Sequence, residues 1–153
     1  MPEAATRVTR PAEIVLAFDY GARRIGVAVG QTQSGTASPA GALPARGAPD
    51  WATVERCVAQ WGPQRLLVGV PYNMDGSDTV LTTACREFAS ELGRRTSLPV
   101  ELVDERYSSV EVESRMRAAY GARKAVKLAR GKTLDSQAAQ LLLEQYFDGR
   151  QAT

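Results

Sequence analysis

Short apolar runs alternate along this chain with stretches in which apolar residues recur at helical spacing. Two runs rich in β-branched residues, 14–18 and 25–29, are separated by a few residues that include Gly21, which predicts a β-hairpin. The first run does not alternate with polar residues, so its strand is expected to be buried on both faces. Gly21 either allows a close backbone approach or adopts a positive φ.

Three further strands and the helices between them define the fold class. Residues 36–43 form a weaker strand with prolines that suit a sheet edge, and residues 65–70 and 100–103 form the fourth and fifth strands. Strand–helix–strand units require parallel pairing with right-handed crossovers. The order therefore predicts an α/β fold with a mixed five-stranded sheet, an antiparallel meander followed by parallel strands, and helices on both faces.

Helices are predicted where apolar residues recur at helical spacing beside capping residues. The first covers residues 50–61, the second follows a cap at Ser77 or Asp78, the third starts at a capping box at Ser108, and the last covers about residues 134–147.

Length and composition are those of one globular domain. The chain has 153 residues, of which 44% are hydrophobic and 24% charged. We expect residues 1–13 to be a mobile tail and residues 14–149 to form a single domain. No apolar run approaches the roughly 20 residues that a membrane helix needs, and the N-terminus lacks the apolar centre of a signal peptide. The isolated Cys57 and Cys85 fit small core residues in a reducing compartment, so the expected location is cytoplasmic.

The absence of histidine restricts the chemistry. The chain contains no histidine, which excludes Ser-His-Asp triads, Cys-His pairs and any histidine general base. A hydrolase of this composition would depend on carboxylates with a metal ion, or on lysine. The formal net charge of +2 permits an anionic partner without requiring one.

Three acidic residues occupy positions where chemistry is expected. Asp19 ends the first strand, Glu105 ends the last, and Asp135 lies in the first turn of the final helix. Active sites of open α/β sheets gather at the carboxyl ends of parallel strands, so the three carboxylates converge if the two strands are neighbours and the helix packs over them. Clustered carboxylates need cations, and oxygen-only ligands favour Mg²⁺ or Mn²⁺, which would activate water for attack on a phosphate.

Each acid also has an ordinary interpretation. Asp19 beside a glycine is common turn chemistry, and Asp135 can favour a helix N-terminus through the helix dipole. Glu105 can pair with Arg106 or Arg23 at the surface. Asp104 competes with Glu105, because adjacent residues of a strand face opposite ways and only one of them enters the site. We select Glu105.

A basic stretch precedes the last acid. It contains five cations and no acid, namely Arg123, Lys124, Lys127, Arg130 and Lys132. Such a stretch suits contacts with a phosphate backbone, and a solvated loop has the same composition.

Four motifs, taken in order, resemble those of one known family. FDYGARRIGVAVG, VGVPYNMDG, LVDERYSS and KTLDSQAAQLLLEQY are similar to motifs of the YqgF/RuvX family, described as Holliday junction resolvases or pre-16S rRNA nucleases. The resemblance covers about residues 15–146. It implies an RNase H-like fold and a metal-dependent endonuclease that uses Mg²⁺ (or Mn²⁺). The implied partner is structured nucleic acid, either an RNA precursor or branched DNA.

The resemblance also implies roles for individual residues. Asp19, Glu105 and Asp135 match the acids that hold metal and carry catalysis. Gly69 and the predicted loop at residues 71–76 match a G-x-P-x-N-x-D-G motif, which would shape the substrate groove. Together with the basic stretch, the predicted nucleic-acid-binding residues are Arg23, Arg24, Asn73, Arg106, Arg123, Lys124, Lys127, Arg130 and Lys132. Related nucleases often add a fourth acid or a histidine, which this chain lacks at a matching place. The resemblance therefore does not decide whether the site binds one metal ion or two.

Two other functions compete with the endonuclease. A non-catalytic nucleic-acid-binding factor of ribosome maturation would keep the same fold. An ATP-using phosphotransfer domain also opens with a D-x-G hairpin, but such enzymes need two of these domains, and 153 residues supply one. A junction cutter that incises two strands symmetrically is expected to be a twofold dimer, so the sequence leaves monomer or homodimer open.

Overall fold

The computed structural model describes the backbone over most of the chain. The described residues are 11–21, 23–107 and 124–151, with side chains for 11–21, 23–106 and 136–149. Most of the predicted tail, the helix predicted to start at Ser108, and Arg123 lie outside this description.

Five strands form one mixed sheet in the order β3-β2-β1-β4-β5. They are β1 (Ile14–Tyr20), β2 (Arg24–Gln31), β3 (Thr36–Pro44), β4 (Arg65–Asn73) and β5 (Val100–Tyr107). The pairs β1–β2 and β2–β3 are antiparallel, whereas β1–β4 and β4–β5 are parallel. The predicted antiparallel meander followed by parallel strands is therefore confirmed.

Three described helices cover the two faces of this sheet. They are α1 (Trp51–Trp61), α2 (Thr82–Thr96) and α3 (Lys124–Gln151). Buried residues of α1 and α2 pack with those of the sheet in one core cluster, and buried residues of α3 pack in a second. We call the two sides of the sheet the α1/α2 face and the α3 face. None of the helices in the described part of the chain is long and apolar enough to cross a membrane.

Alternation along β1 decides which face each side chain occupies. Leu16 and Phe18 belong to the core of the α1/α2 face, whereas Val15 and Ala17 belong to that of the α3 face. Because successive strand residues point to opposite sides, the next residue, Asp19, continues the row on the α3 face. The first strand is buried on both faces, as predicted.

Several local predictions are confirmed with their physical cause. Gly62 ends α1 in the left-handed conformation, with φ of 59°. Gly21 is needed because the backbone of Arg24 passes close to it, not because of a positive φ: a Cβ on Gly21 would lie 2.8 Å from the carbonyl oxygen of Arg24. Cys57 and Cys85 are both buried thiols, and burial raises the pKa of the Cys57 thiol.

The segment between β4 and α2 corrects two predictions. β4 continues to Asn73, so the first half of the predicted loop at 71–76 is strand, paired with β5. The helix starts at Thr82 rather than after Ser77 or Asp78. Those two residues instead close the turn, because the Asn73 amide donates hydrogen bonds to the Ser77 hydroxyl and to the carbonyl oxygen of Asp78.

The last helix is longer than predicted. It begins at Lys124 rather than near residue 134, because alanine, leucine, lysine and arginine before Gly131 are strong helix formers that outweigh the cost of about 1 kcal/mol for that glycine. Asp135 therefore lies in the helix interior, and its interpretation as a first-turn partner of the helix dipole is wrong. The basic residues from Lys124 to Lys132 are helical, so their interpretation as a loop is also wrong.

Candidate functional site

Asp19 is a buried carboxylate at the end of β1. Only 9% of the residue is exposed, and it shares the α3 face with Val15 and Ala17. Its partner on β2 is Gly26, which contributes no side chain beside it. The neighbouring parallel strand places Val68 opposite Phe18, so the next residue of that strand, Gly69, comes beside Asp19.

Glu105 reaches the same region from β5. Its strand neighbour two residues earlier, Val103, packs against the α3 core, so Glu105 also lies on the α3 face. A Cβ placed on Gly69 would collide with Oε2 of Glu105 and would lie 2.9 Å from its Cδ. The Glu105 carboxylate therefore lies directly over the backbone of Gly69.

The strands that carry the two acids are not neighbours, so the condition under which the sequence allowed the carboxylates to converge is not met in that form. β4 lies between β1 and β5, so Asp19 and Glu105 are two strand spacings apart across the sheet. Glu105 also lies two residues farther along, because it pairs with Pro71 rather than with Gly69, so the two Cα atoms are about 12 Å apart. A side chain on the middle strand would separate them. Gly69 has none, and the Glu105 carboxylate occupies the space above its backbone.

Asp104 and Arg106 lie on the opposite side of the sheet from Glu105. They form an ion pair of 3.1 Å between Oδ2 and Nε, and Arg106 also donates a hydrogen bond to the carbonyl oxygen of Met74. The alternative in which Arg106 partners Glu105 is therefore wrong. Arg106 and Asp104 line a groove of about 330 Å³ on the α1/α2 face, together with Val70, Tyr72, Gly76 and Leu102.

Asn73 takes part in the turn that follows β4. Its amide binds Ser77 and Asp78 as described above, and Asp75 accepts hydrogen bonds from the backbone N–H and the hydroxyl of Ser77 at 2.9 and 2.6 Å. These bonds hold the pKa of the Asp75 carboxyl below its usual value. Asp75 therefore stabilises the turn after β4.

The hairpin arginines lie at the same end of the sheet as Asp19. Arg24 begins β2, two residues before Gly26, and so shares the α3 face with it. Arg23 is exposed in the turn. The predicted cations nearest to Asp19 in the chain are thus described by the structure, whereas the side chains of Lys124, Lys127, Arg130 and Lys132 lie outside the description.

The third predicted acid is located only by its backbone. Asp135 belongs to α3, one turn before Ala139 and two turns before Leu142, both of which are fully buried against the sheet. Leu142 reaches the same spot as Glu105, since its Cδ1 would lie 3.2 Å from a Cβ on Gly69. Within the described side chains no group of three histidines, cysteines or acids lies close enough to hold a metal. The side chain of Asp135 is not among them.

The sequence did not predict the part that two glycines play in this site. Gly26 was not singled out, and Gly69, which was placed in the fourth strand and matched to a motif expected to shape the substrate groove, was not expected to lie beneath a carboxylate. The available signal was an isolated glycine inside a strand pattern, which often marks a close approach of other groups.

Comparisons with known proteins agree with this architecture. A family model described as "RuvX: Holliday junction resolvase" matches residues 13–149. A protein of Escherichia coli O157:H7 (strain EC4115 / EHEC) named "Putative pre-16S rRNA nuclease" is 44% identical over 135 residues, covering 88% of this chain and 95% of its own. A protein of the same name from Salmonella paratyphi B is 43% identical over 139 residues, covering 89% and 96%.

A solved structure is similar to the whole fold. It is described as T. thermophilus RuvC in complex with Holliday junction substrate, and it has a TM-score of 0.52, 14% sequence identity, and coverage of 92% of this chain and 96% of its own. At that identity the likeness concerns the fold alone. It confirms the RNase H-like fold class.

Proposed function

Because the chain belongs to the RuvX family of Holliday junction resolvases and pre-16S rRNA nucleases, we propose that it is an endonuclease that hydrolyses phosphodiester bonds in structured nucleic acid. Asp19, Glu105 and Asp135 are the proposed catalytic and metal-binding residues. Residues 14–149 are the proposed nuclease domain, acting in the cytoplasm.

One observation carries this proposal: the carboxylate of Glu105 reaches from β5 over β4 toward the buried carboxylate of Asp19 on β1. Asp19 is almost completely buried, and Glu105 leans over Gly69 toward it. Carboxylates that converge in a partly buried place need cations to balance them, since unit charges about 4 Å apart interact by about 4 kcal/mol at an effective dielectric of about 20. A divalent cation would supply that balance.

The donor set fits a hard divalent cation. Both described groups are carboxylates, the ligands that Mg²⁺ and Mn²⁺ prefer, and the chain has no histidine to favour zinc. Asp135 would add a third oxygen ligand from α3. A bound Mg²⁺ or Mn²⁺ would supply an activated water and stabilise charge on the scissile phosphate. The fold contributes the fixed positions of Asp19 and Glu105 on strand backbones.

Substrate binding is assigned to cations around this site. The helical basic residues Lys124, Lys127, Arg130 and Lys132 precede Asp135 on α3, and Arg23 and Arg24 lie at the hairpin. Lysines and arginines would contact phosphates and orient the duplex or loop without reading its sequence. Arg123, Asn73 and Arg106 complete the proposed set, with Asn73 at the end of β4 and Arg106 on β5.

The proposed substrate is either the precursor of 16S rRNA or a branched DNA junction. The names of the relatives favour the RNA precursor, whereas the family description favours the junction. The presence of a buried carboxylate at Asp19 and a half-buried one at Glu105 favours catalysis over the alternative of a non-catalytic binding factor. Solution mass separates the two substrates further, because symmetric cutting of a junction requires a twofold dimer and cutting of RNA does not.

The test is cleavage of both substrates with Mg²⁺ or Mn²⁺ by the wild type, Asp19→Asn and Asp135→Asn. A matched control is Asp148→Asn, an exposed acid of the same helix as Asp135. We expect cleavage by the wild type and the control, and loss of cleavage in both site variants. Equal cleavage by all four proteins would point to a contaminant and overturn the proposal. Metal-free RNA binding without any turnover would support the binding factor instead.

A further inference from the structure

Gly69 lies at the centre of the proposed site, and we propose that its missing side chain is what positions the Glu105 carboxylate. This inference rests on the proposed role of Glu105 in catalysis. A methyl group on Gly69 would overlap Oε2 of Glu105 and come within 2.9 Å of Cδ. The carboxylate occupies the volume that any other residue at position 69 would fill.

The strand register shows how far Glu105 leans. Its direct partner on β4 is Pro71, whereas Gly69 is paired with Val103. The Glu105 side chain therefore reaches diagonally across β4, in the direction of β1 and Asp19. If the Glu105 side chain instead stood directly over β5, its carboxylate would lie about one strand spacing, or about 4.8 Å, farther from Asp19 than it does.

Backbone conformation gives no separate reason for a glycine here. Gly69 lies inside β4 between the fully buried Val68 and Val70, and it is not among the glycines with positive φ. Glycine weakens a strand interior relative to the β-branched residues around it. The space taken by Glu105 accounts for its presence.

Helix packing is the competing explanation, and the chain offers a matched control for it. A Cβ on Gly69 would also press on Leu142 of α3, at 3.2 Å. Gly30 lies under the same helix, where a Cβ would meet the backbone oxygen of Thr36 at 2.5 Å, Phe147 at 2.8 Å and Leu143 at 2.9 Å. Alanine at position 30 therefore disturbs the helix–sheet contact, and also the pairing of β2 with β3, without touching Glu105.

The experiment compares Gly69→Ala with Gly30→Ala in the full chain. The measurements are the cleavage rate at saturating substrate, the affinity for Mn²⁺ alone by calorimetry, and the melting temperature. We expect Gly69→Ala to lower the rate about 100-fold, as displacement of a catalytic group by about 1 Å does, and to weaken Mn²⁺ binding. Gly30→Ala is expected to lower the melting temperature but to keep the rate and the Mn²⁺ affinity. A Gly69→Ala protein with wild-type rate and affinity would overturn the inference.

Two double variants distinguish the effect of the Glu105 contact from the effect of the α3 contact. In the Glu105→Asp background the shorter side chain makes room, so Gly69→Ala is expected to cost about tenfold or less there, against about 100-fold in the wild type. Leu142→Val relieves only the helix contact and is expected to restore stability without restoring the rate. Restoration of the rate by Leu142→Val would overturn the inference, and this comparison also decides the matter if Gly69→Ala alone does not fold.

Glu105→Gln keeps the inference distinct from the proposed function. If Glu105→Gln cleaves like the wild type, the proposed function fails at this residue. If Glu105→Gln is inactive and Gly69→Ala is fully active, the proposed function stands and the inference about Gly69 fails.

Discussion

Asp104 and Glu105 are consecutive in the chain, yet their carboxylates lie on opposite faces of the sheet. Asp104 pairs with Arg106 beside the groove on the α1/α2 face, whereas Glu105 lies over Gly69 on the α3 face with Asp19. Successive side chains of a strand point to opposite faces, so an exposed ion pair and a proposed catalytic group occupy neighbouring positions of β5 without lying near each other.

This relationship predicts opposite outcomes for two similar substitutions. Glu105→Gln is expected to lower the cleavage rate by at least about 100-fold, because it removes a charged ligand from the proposed site. Asp104→Asn breaks an exposed ion pair worth about 1 kcal/mol or less and is expected to leave the rate near the wild-type value. Single-turnover cleavage with Mg²⁺ measures both. If Asp104→Asn lowered the cleavage rate more than Glu105→Gln, the site would lie on the α1/α2 face, and the present assignment to the α3 face would be wrong.

The basic part of α3 predicts a salt-dependent interaction. Replacing Lys127 and Arg130 by alanine is expected to weaken nucleic-acid binding and to reduce the slope of log K against log salt by about 2, that is, about one for each lost phosphate contact. A matched control is the double replacement of Arg56 and Arg94, exposed cations on α1 and α2. Binding titrations at several salt concentrations measure the slopes, and an equal change in both proteins would contradict this assignment.

The aromatic cluster around Phe88 predicts a large stability effect on the other face. Phe88 is buried, and its ring lies 5.8, 5.0 and 5.3 Å from those of Phe18, Tyr20 and Trp51, between centroids. Phe88→Ala is expected to lower the free energy of unfolding by about 3–5 kcal/mol, and Phe88→Leu by less, because it leaves a smaller cavity. Urea unfolding measures both, and equal losses would contradict the argument that cavity volume sets the cost.

The carboxyl of Glu91 predicts a pH dependence of stability. Hydrogen bonds and charge from Arg94 and Arg95 lower its pKa from 4.5 to about 2. Because the folded pKa is depressed, this stabilisation is present above about pH 4.5 and is lost as the pH falls toward 2. Between these values the wild type is expected to lose melting temperature more steeply than Glu91→Gln. High salt should reduce the difference, because the pairs are exposed. Parallel curves for the two proteins would contradict the prediction.

The sequence by itself determined the elements and their order. Unbroken apolar runs gave the strands, helical spacing gave α1, and Asp19 at the end of a buried run was correctly placed on β1. These features depend on residues only a few positions apart, so a short window of the sequence is enough to predict them. The start of α3 was predicted too late because the prediction relied on apolar periodicity, and residues Lys124–Lys132 have helical propensity but little apolar periodicity.

Only the tertiary structure decided what meets at the site. β4 inserts between β1 and β5, and no local pattern specifies which strands become neighbours, because that depends on pairing between distant segments. The same pairing gives Gly69 its importance, because the space above a glycine acquires a function only when Glu105, 36 positions later, leans into it. The sequence contains the residue types and their order, whereas the volume above Gly69 that Glu105 occupies exists only after the sheet has formed.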